Sequence, residues 1–423
     1  MKKRTPMAGR SVATYTLTDT TLFRMLNLLH ILLFILAGVA RVFAQGQEQP
    51  SYAPYSKARM EQAILRYESI AQSDHWHTFP DTLLLRPGDS SLFVAQLQDN
   101  LLLTGDLPLD SSYNTPEYTS GLSTAVKLFQ RRHGLKPDGV VGPNTVAALN
   151  VPPARRLEQL RINLTRYDST FVKEQEPYAV INLPEYKMLV VDSGRVYLQM
   201  RVVIGKPTLK TYPIHSKLDM VVLNPYWQVP TSIAVNEIVP ILRRNPGYLS
   251  KKNMILERND NGSWVRVNPA EVDWQSINRA NFNYRITQLS GLDNELGQVK
   301  FPFPNRLPQY LHDTQAKALF NHPHRDFSHG CVRLEKPVEL AYYLLRRGSG
   351  YTTEGVDKLW VQGKPNHYVR VRKPIPLHIV YFTSWVNEQM EVHFREDVYG
   401  YDALLEKQQI QEANQQKVIS LTE

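Results

Sequence analysis

Cysteine is almost absent from this sequence: among 423 residues there is one, Cys331. No disulfide can therefore close within the chain. No stretch of low complexity interrupts it, and with 42% hydrophobic and 21% charged residues the composition is that of an ordinary globular protein, long enough for two or three domains. No block of lysine and arginine alternates with aromatics, which argues against nucleic acid as a partner even though the net charge is +9. An anionic lipid or acidic polymer remains compatible with that charge. Part of the excess lies in Lys2, Lys3, Arg4, Arg10 and Arg24, near the N-terminus. Glycine (21) is outnumbered by proline (28), and tyrosine reaches 22, a mixture suited to a β-rich, loop-rich body with helical additions.

What is present at the N-terminus points to export. Basic residues precede an apolar stretch from Met25 to Ala40, and Val42-Phe43-Ala44 resembles a small-residue cleavage site. The stretch carries Asn27 and His30 and is short for a stable membrane span. A cleaved signal peptide over 1–44 and a periplasmic or cell-envelope location are expected. The rival is an uncleaved N-terminal anchor, the one case in which a membrane would be a partner. In an oxidising compartment structural cysteines come in pairs, so a lone thiol is either inert and buried or reactive.

Beyond a polar linker, the segment 45–90 places Met60, Ile64, Tyr67 and Ile70 at helical spacing. A compact unit over 91–151 follows. Leu92, Leu97 and Leu101 mark one helix; Leu122, Val126, Phe129 and His133 mark a second, ended by Gly134. Asp138-Gly139 reads as a turn and Pro143 opens a third helix. A connecting helix is expected within 152–177. From Tyr178 the period falls to two, with Ala179, Ile181 and Leu183 on one face. Met188–Val191 and Val196–Ile204 flank Asp192-Ser193-Gly194, a hairpin signal, and further strands are expected at Met220–Leu223 and Tyr226–Val229. The stretch 240–307 breaks the rhythm and reads as an inserted cap, or as an irregular but rigid part of the same body. Strands resume at Val369–Val371 and Ile375–Phe382, within a unit reaching 403, and 404–423 is a polar tail of frayed helix or disorder.

The chemistry is densest between Tyr310 and Arg333. Tyr310-Leu311-His312-Asp313-Thr314 is followed, with fifteen residues between His312 and Ser328, by Ser328-His329-Gly330-Cys331-Val332-Arg333. A neutral thiol is a poor nucleophile, and a neighbouring imidazole can take its proton. Gly330 would let a substrate approach the backbone, whose N–H groups near Gly330 and Cys331 could hold an oxyanion. His322 and His324 add a metal reading together with His312 and His329. Without a definite tetrahedral ligand set, solvent-exposed loop histidines are the preferred reading of the pair, and no metal is assigned.

His312, the gap of fifteen and Ser-His-Gly-Cys-Val-Arg resemble the signature of the L,D-transpeptidase catalytic domain (YkuD-type). Val202-Val203-Ile204-Gly205-Lys206 resembles its strand and turn. Asn224-Pro225-Tyr226-Trp227-Gln228-Val229-Pro230, Val299-Lys300-Phe301 and Tyr381-Phe382-Thr383-Ser384-Trp385 resemble the subgroup with a large inserted cap. Ala125 to Leu135 with Asp138 to Pro143 resembles the peptidoglycan-binding helical domain; a generic three-helix module is the alternative. The resemblance implies an α+β chain: a small all-α peptidoglycan-binding domain and, over 178–403, a β-rich catalytic domain with its cap.

For the site, the resemblance makes Cys331 the acylated nucleophile and His312 its base, with the Asp313 carbonyl fixing the ring. His329 is a secondary base or oxyanion group, or a structural residue; Ser328 and Gly330 support the loop. Arg333 orients the loop or a substrate carboxylate, or serves as an ion-pair partner, and Trp227 and Tyr310 line the donor groove. The implied reaction joins stem peptides of peptidoglycan through a thioester, without a metal or organic cofactor, and the thiol is open to carbapenems. Carboxypeptidase action, D-amino-acid exchange, a non-catalytic wall-binding scaffold and a metal-dependent wall amidase are the alternatives.

Overall fold

The computed structural model describes residues 54–108, 115–170 and 176–422. The expected leader, 1–44, and residues 45–53 of the expected linker lie outside the described residues.

Helix α1 (Lys57–Gln72) starts where the Ser56 hydroxyl accepts from the Arg59 N–H and turns Met60, Ala63, Tyr67 and Ile70 inward. The next three helices, α2 (Leu92–Thr104), α3 (Ser120–Arg132) and α4 (Pro143–Leu149), share one apolar core. Leu97 and Leu101 of α2, Leu122, Val126 and Phe129 of α3 and Val146 and Leu149 of α4 meet there. The i, i+4, i+7 spacing of the α3 residues gives that helix one buried stripe. Helix α5 (Pro153–Thr170) then packs along α1, and Leu157 and Leu160 join Met60 and Tyr67 in a second cluster.

The rest of the chain is built on strands. β1 (Tyr178–Asn182), β2 (Lys187–Asp192) and β3 (Arg195–Gly205) form a meander. The β2–β3 turn uses Ser193 and Gly194 at φ of 54° and 71°, the left-handed pair that a tight hairpin requires. β4 (Ile214–Leu223) and the short β5 (Trp227–Gln228) follow. Nine strands form one sheet in the order β11-β3-β12-β10-β9-β4-β13-β1-β2, and β2 pairs back onto β3, so eight of them close into a ring. Its later members are β9 (Val299–Pro302), β10 (Tyr310–His312), β11 (Asp326–Ser328), β12 (Val332–Leu334) and β13 (His367–Val380).

β1 departs from the expected alternation: all five of its residues are buried. Ala179 and Ile181 face the ring's core, whereas Tyr178 and Val180 pack with Tyr55, Phe382 and Trp385 on the other side. A strand covered on both faces has no polar side to display.

The stretch expected as a cap, 240–307, divides between two bodies. After β5 comes a helical run, α6, from Thr231 to Leu242, whose middle (Ala234–Ile238) widens into a π turn. β6 (Met254–Asp260), β7 (Ser263–Arg266) and β8 (Tyr284–Gln288) join β5 in a separate four-stranded sheet of order β5-β8-β6-β7. This unit has its own core of Val229, Ala234, Ile238, Leu242, Leu256, Trp274 and Ile286. Val299–Pro302, by contrast, pairs with β4 and β10 in the main ring, because Val299 and Phe301 are needed in that core.

Helices α7 (Pro337–Ser349) and α8 (Thr353–Val361) cover the ring, and the hairpin β14 (Ser384–Val386)–β15 (Val392–Phe394) docks on α1 and α5. The residues expected as a frayed tail form helix α9 (Tyr401–Thr422), tied back through Arg155–Glu406 and Arg166–Asp402 ion pairs. Buried Arg132, at the end of α3, pairs with Asp106 and donates to the Val392 carbonyl, while Arg395 donates back to the Arg132 carbonyl at 2.7 Å. The three-helix unit is thereby fastened to the β14–β15 hairpin.

Candidate active site

Strand pleating sorts the residues between Tyr310 and Arg333. Leu311 sits opposite both Phe301 of β9 and Val332 of β12, and all three point into the core. The neighbouring rung, Lys300–His312–Arg333, faces the other way. Tyr310 and Cys331, each two positions along its own chain from a member of that rung, share its side. All five residues line one cleft of about 980 Å³, roofed by Trp227, Ile233, Glu237, Met254, Glu257 and Arg285 from the small sheet and α6.

The thiol-bearing loop is held from below. The Ser328 hydroxyl donates to the Cys331 carbonyl at 2.5 Å and accepts from the Gly330 N–H at 3.2 Å. Ser328 is buried, so both contacts are sheltered from water. Gly330 adopts φ +110°, a region that disfavours side chains, and an added Cβ would meet the Lys210 carbonyl at 3.3 Å. Its glycine is thus required by the protein's own packing, not only by the approach of a substrate. Its N–H is engaged by Ser328, so of the two amides expected to receive an oxyanion only that of Cys331 is left.

A chain of buried hydrogen bonds continues inward. Thr211 Oγ1 donates to the Gly330 carbonyl and accepts from the Gly205 N–H, each at 2.9 Å. Tyr399 donates to the Gly205 carbonyl at 2.6 Å and accepts from the Thr211 N–H. The Tyr399 N–H in turn donates to Tyr381, whose hydroxyl donates to Asp397. Thr211, Asp397 and Tyr399 carry no local motif, and although Tyr381 opens the Tyr381-Phe382-Thr383-Ser384-Trp385 stretch, nothing in that stretch announces this role. Lys300 did leave a trace, a lone charge between apolar Val299 and Phe301.

His312 is 5% exposed and its Nδ1 lies 2.5 Å from the Asp313 carbonyl oxygen, which fixes Nδ1 as the donor and leaves Nε2 unprotonated. Burial, then the positive charge of Arg333, pushes the His312 pKa down to about 3; Lys300 and Lys317 add to the effect. Burial also pushes the Cys331 thiol up, against the opposing pull of the Tyr310 N–H and hydroxyl, Lys300 and Arg333. Burial thus favours the uncharged form of both groups. The thiol's own hydrogen bond runs to the Pro308 carbonyl, at 3.5 Å.

The remaining sequence candidates fall around this centre. The Asp313 carboxylate accepts from the Gln298 and Thr314 N–H groups and from Lys317, at 2.8, 2.7 and 2.5 Å, and turns away from the cleft chemistry. His329 points to the cap, its Nε2 2.6 Å from Glu237 on the π turn of α6. Arg333 keeps a buried Nε without a hydrogen-bond partner. Tyr310 stacks under the Lys300 ammonium, 4.0 Å from its ring centre, and Trp227 lines the cleft from β5. His322 lies edge-on to Phe327, and His324 is 3.8 Å from Glu396. Among the described residues no three His, Cys, Asp or Glu side chains are grouped to hold a metal ion.

Comparison with known families places this site. Residues 176–361, which contain Cys331, His312 and the whole small sheet, match the L,D-transpeptidase catalytic domain, and residues 90–149 match a family described as "Putative peptidoglycan binding domain". The chain therefore carries an L,D-transpeptidase catalytic domain with a peptidoglycan-binding domain on its N-terminal side. A Haemophilus influenzae protein described as "Putative L,D-transpeptidase" is 34% identical over 222 residues, 52% of this chain and 44% of its own. The chain thus spans less than half the length of that relative. Among solved structures, the L,D-transpeptidase of Stackebrandtia nassauensis is 15% identical, covering 61% of this chain and 88% of its own, with a TM-score of 0.25. The catalytic domain of the E. faecium enzyme acylated by ertapenem is 13% identical, covering 49% of this chain and 100% of its own, with a TM-score of 0.20. At such scores these two resemblances carry no argument.

Proposed function

We propose that this protein is an L,D-transpeptidase of peptidoglycan that works through Cys331, in the periplasm or cell envelope where its substrate lies. The observation that carries the reading is the convergence of Cys331, a buried His312 with a free Nε2, and Tyr310 on one face of one cleft. That combination suits nucleophilic acyl transfer at a carbonyl.

The donor is a stem tetrapeptide. As Cys331 Sγ bonds to the carbonyl carbon preceding the terminal D-residue, its proton moves to His312 Nε2. A neutral base acts on a neutral thiol, so charge appears only in the transition state, where the Tyr310 hydroxyl faces the sulfur and the Cys331 N–H faces the new oxyanion. Collapse breaks the C–N bond. The departing amine takes the proton from His312, and a thioester remains. An acceptor amine, from a diamino acid of a second stem, then attacks the thioester and gives its proton to His312, which returns it to the leaving sulfur. Water in place of the amine would give trimming, and a free D-amino acid would give exchange. The strained carbonyl of a carbapenem would acylate the same sulfur. No step calls on a metal or organic cofactor.

The assignment is tested with purified protein and a tetrapeptide-bearing wall fragment. Cys331→Ala is expected to abolish release of the terminal D-residue; equal release by wild type and variant would overturn the reading.

A further inference from the structure

Lys300 has no place in the scheme above, yet it is a half-buried lysine in the cleft beside the reacting groups. It lies directly across β9 and β10 from His312, and Arg333 lies directly across β10 and β12. Two cations therefore flank the base, each one strand spacing away, about 4.8 Å between backbones. Neither makes an ion pair with a carboxylate among the described residues, although Glu295, which also lines the cleft, acts on Arg333 from beyond contact. Of the cap's acidic residues, Glu257 is paired with Arg285 and Glu237 with His329. The Arg333 Nε is buried with nothing to donate to. Two cations in a partly desolvated cleft, neither of them in an ion pair and with only Glu295 near Arg333 to offset them, repel each other and depress their neighbour's basicity. Such an arrangement is costly unless an anion joins it.

The proposed reaction supplies one. His312 must reach the nitrogen of the departing D-residue, and in the terminal residue of a peptide that nitrogen lies only two bonds, about 2.5 Å, from the free carboxylate. A residue whose amine faces His312 Nε2 therefore carries its carboxylate toward the cations on either side. We propose that Lys300, with Arg333, seats the terminal carboxylate of the donor peptide and so restricts the enzyme to stems ending one residue beyond the bond it cuts. This rests on the acyl-transfer reading. A stem with one residue more would put an uncharged amide where the carboxylate belongs and leave both cations uncompensated. Lys300 is then a specificity-determining residue, and its ammonium is kept in place by the Tyr310 ring beneath it.

The experiment pairs two substrates with three proteins. A stem tetrapeptide and its C-terminal amide are turned over by wild type, Lys300→Met and Lys300→Arg, and kcat and KM are measured separately. Binding of both peptides to Cys331→Ala is measured alongside. Wild type should prefer the acid at least tenfold or so, the scale of one charge-assisted hydrogen bond. Lys300→Met should lose most of that preference by slowing far more on the acid than on the amide, and Lys300→Arg should restore part of it. Equal slowing of both peptides by Lys300→Met, with the preference intact, would show that Lys300 only positions His312 or Tyr310 and would overturn the seat. Wild type that binds the acid preferentially, as seen in Cys331→Ala, but releases no D-residue would contradict the reaction and leave the seat standing.

Discussion

At Cys331 and His312, burial opposes charge on both partners, so in the proposed reaction the proton is expected to move during attack and not before it. A base with a pKa near 3 leaves no group in this pair to titrate between about pH 5 and 7, and the acylation rate should be flat there. A rising limb centred near neutrality would instead indicate a preformed ion pair. The same measurement separates the two histidines. His312→Gln should lower acylation by about 10²–10⁴-fold, the usual worth of a positioned base. His329→Gln removes a contact with Glu237 on the cap and leaves the base in place, so a loss within several-fold is expected. That Cys331 and His312 share one cleft was foreshadowed by the motif in which they stand. The depressed basicity was not, since it arises first from burial and then from Arg333 and Lys300 on neighbouring strands, all set by the tertiary fold.

Among the elements, the β12 loop and the segment after β3 are joined through the Thr211 hydroxyl. Thr211→Val keeps the shape but strips a partner from the Gly330 carbonyl and from the Gly205 N–H, both buried. A loss of about 1–3 kcal/mol is expected from orphaned buried groups, visible as a lower melting temperature together with slower acylation. Unchanged melting and rate would mean that the loop is held without this hydroxyl. Helices and hairpins were readable because each is specified locally: the Leu122, Val126 and Phe129 stripe, the Ser193-Gly194 turn, the glycine after α3. The two-sided burial of β1 and the split of 240–307 were not. Each depends on which distant segment covers a strand, as Phe382 covers Val180 and Tyr310 recruits Pro302.

For the whole molecule, acid should be the weak side. His312 and His393 are both pushed down to about 3 by burial, with Arg333 next for His312 and Arg395 for His393. Between an ordinary imidazole pKa near 6.5 and that value, the unfolded chain binds protons that the folded chain refuses. Stability is therefore fully present above about pH 6.5 and is lost progressively as the pH falls toward 3. His393 stacks on Trp385 in the hairpin to which the three-helix unit is fastened. His393→Phe keeps the stack and removes one titrating group. Its melting temperature should fall less between pH 7.5 and 5 than that of wild type; an identical fall would place the acid sensitivity elsewhere.

The central claim is that one sulfur carries the acyl group, and it can be weighed directly. Wild-type protein mixed with a stem tetrapeptide, quenched in acid and digested, should yield the Cys331 peptide heavier by the tetrapeptide less its terminal D-residue and the thiol hydrogen, with the added mass released by hydroxylamine. Turnover that proceeds with Cys331 unmodified, or that persists in Cys331→Ala, would contradict it.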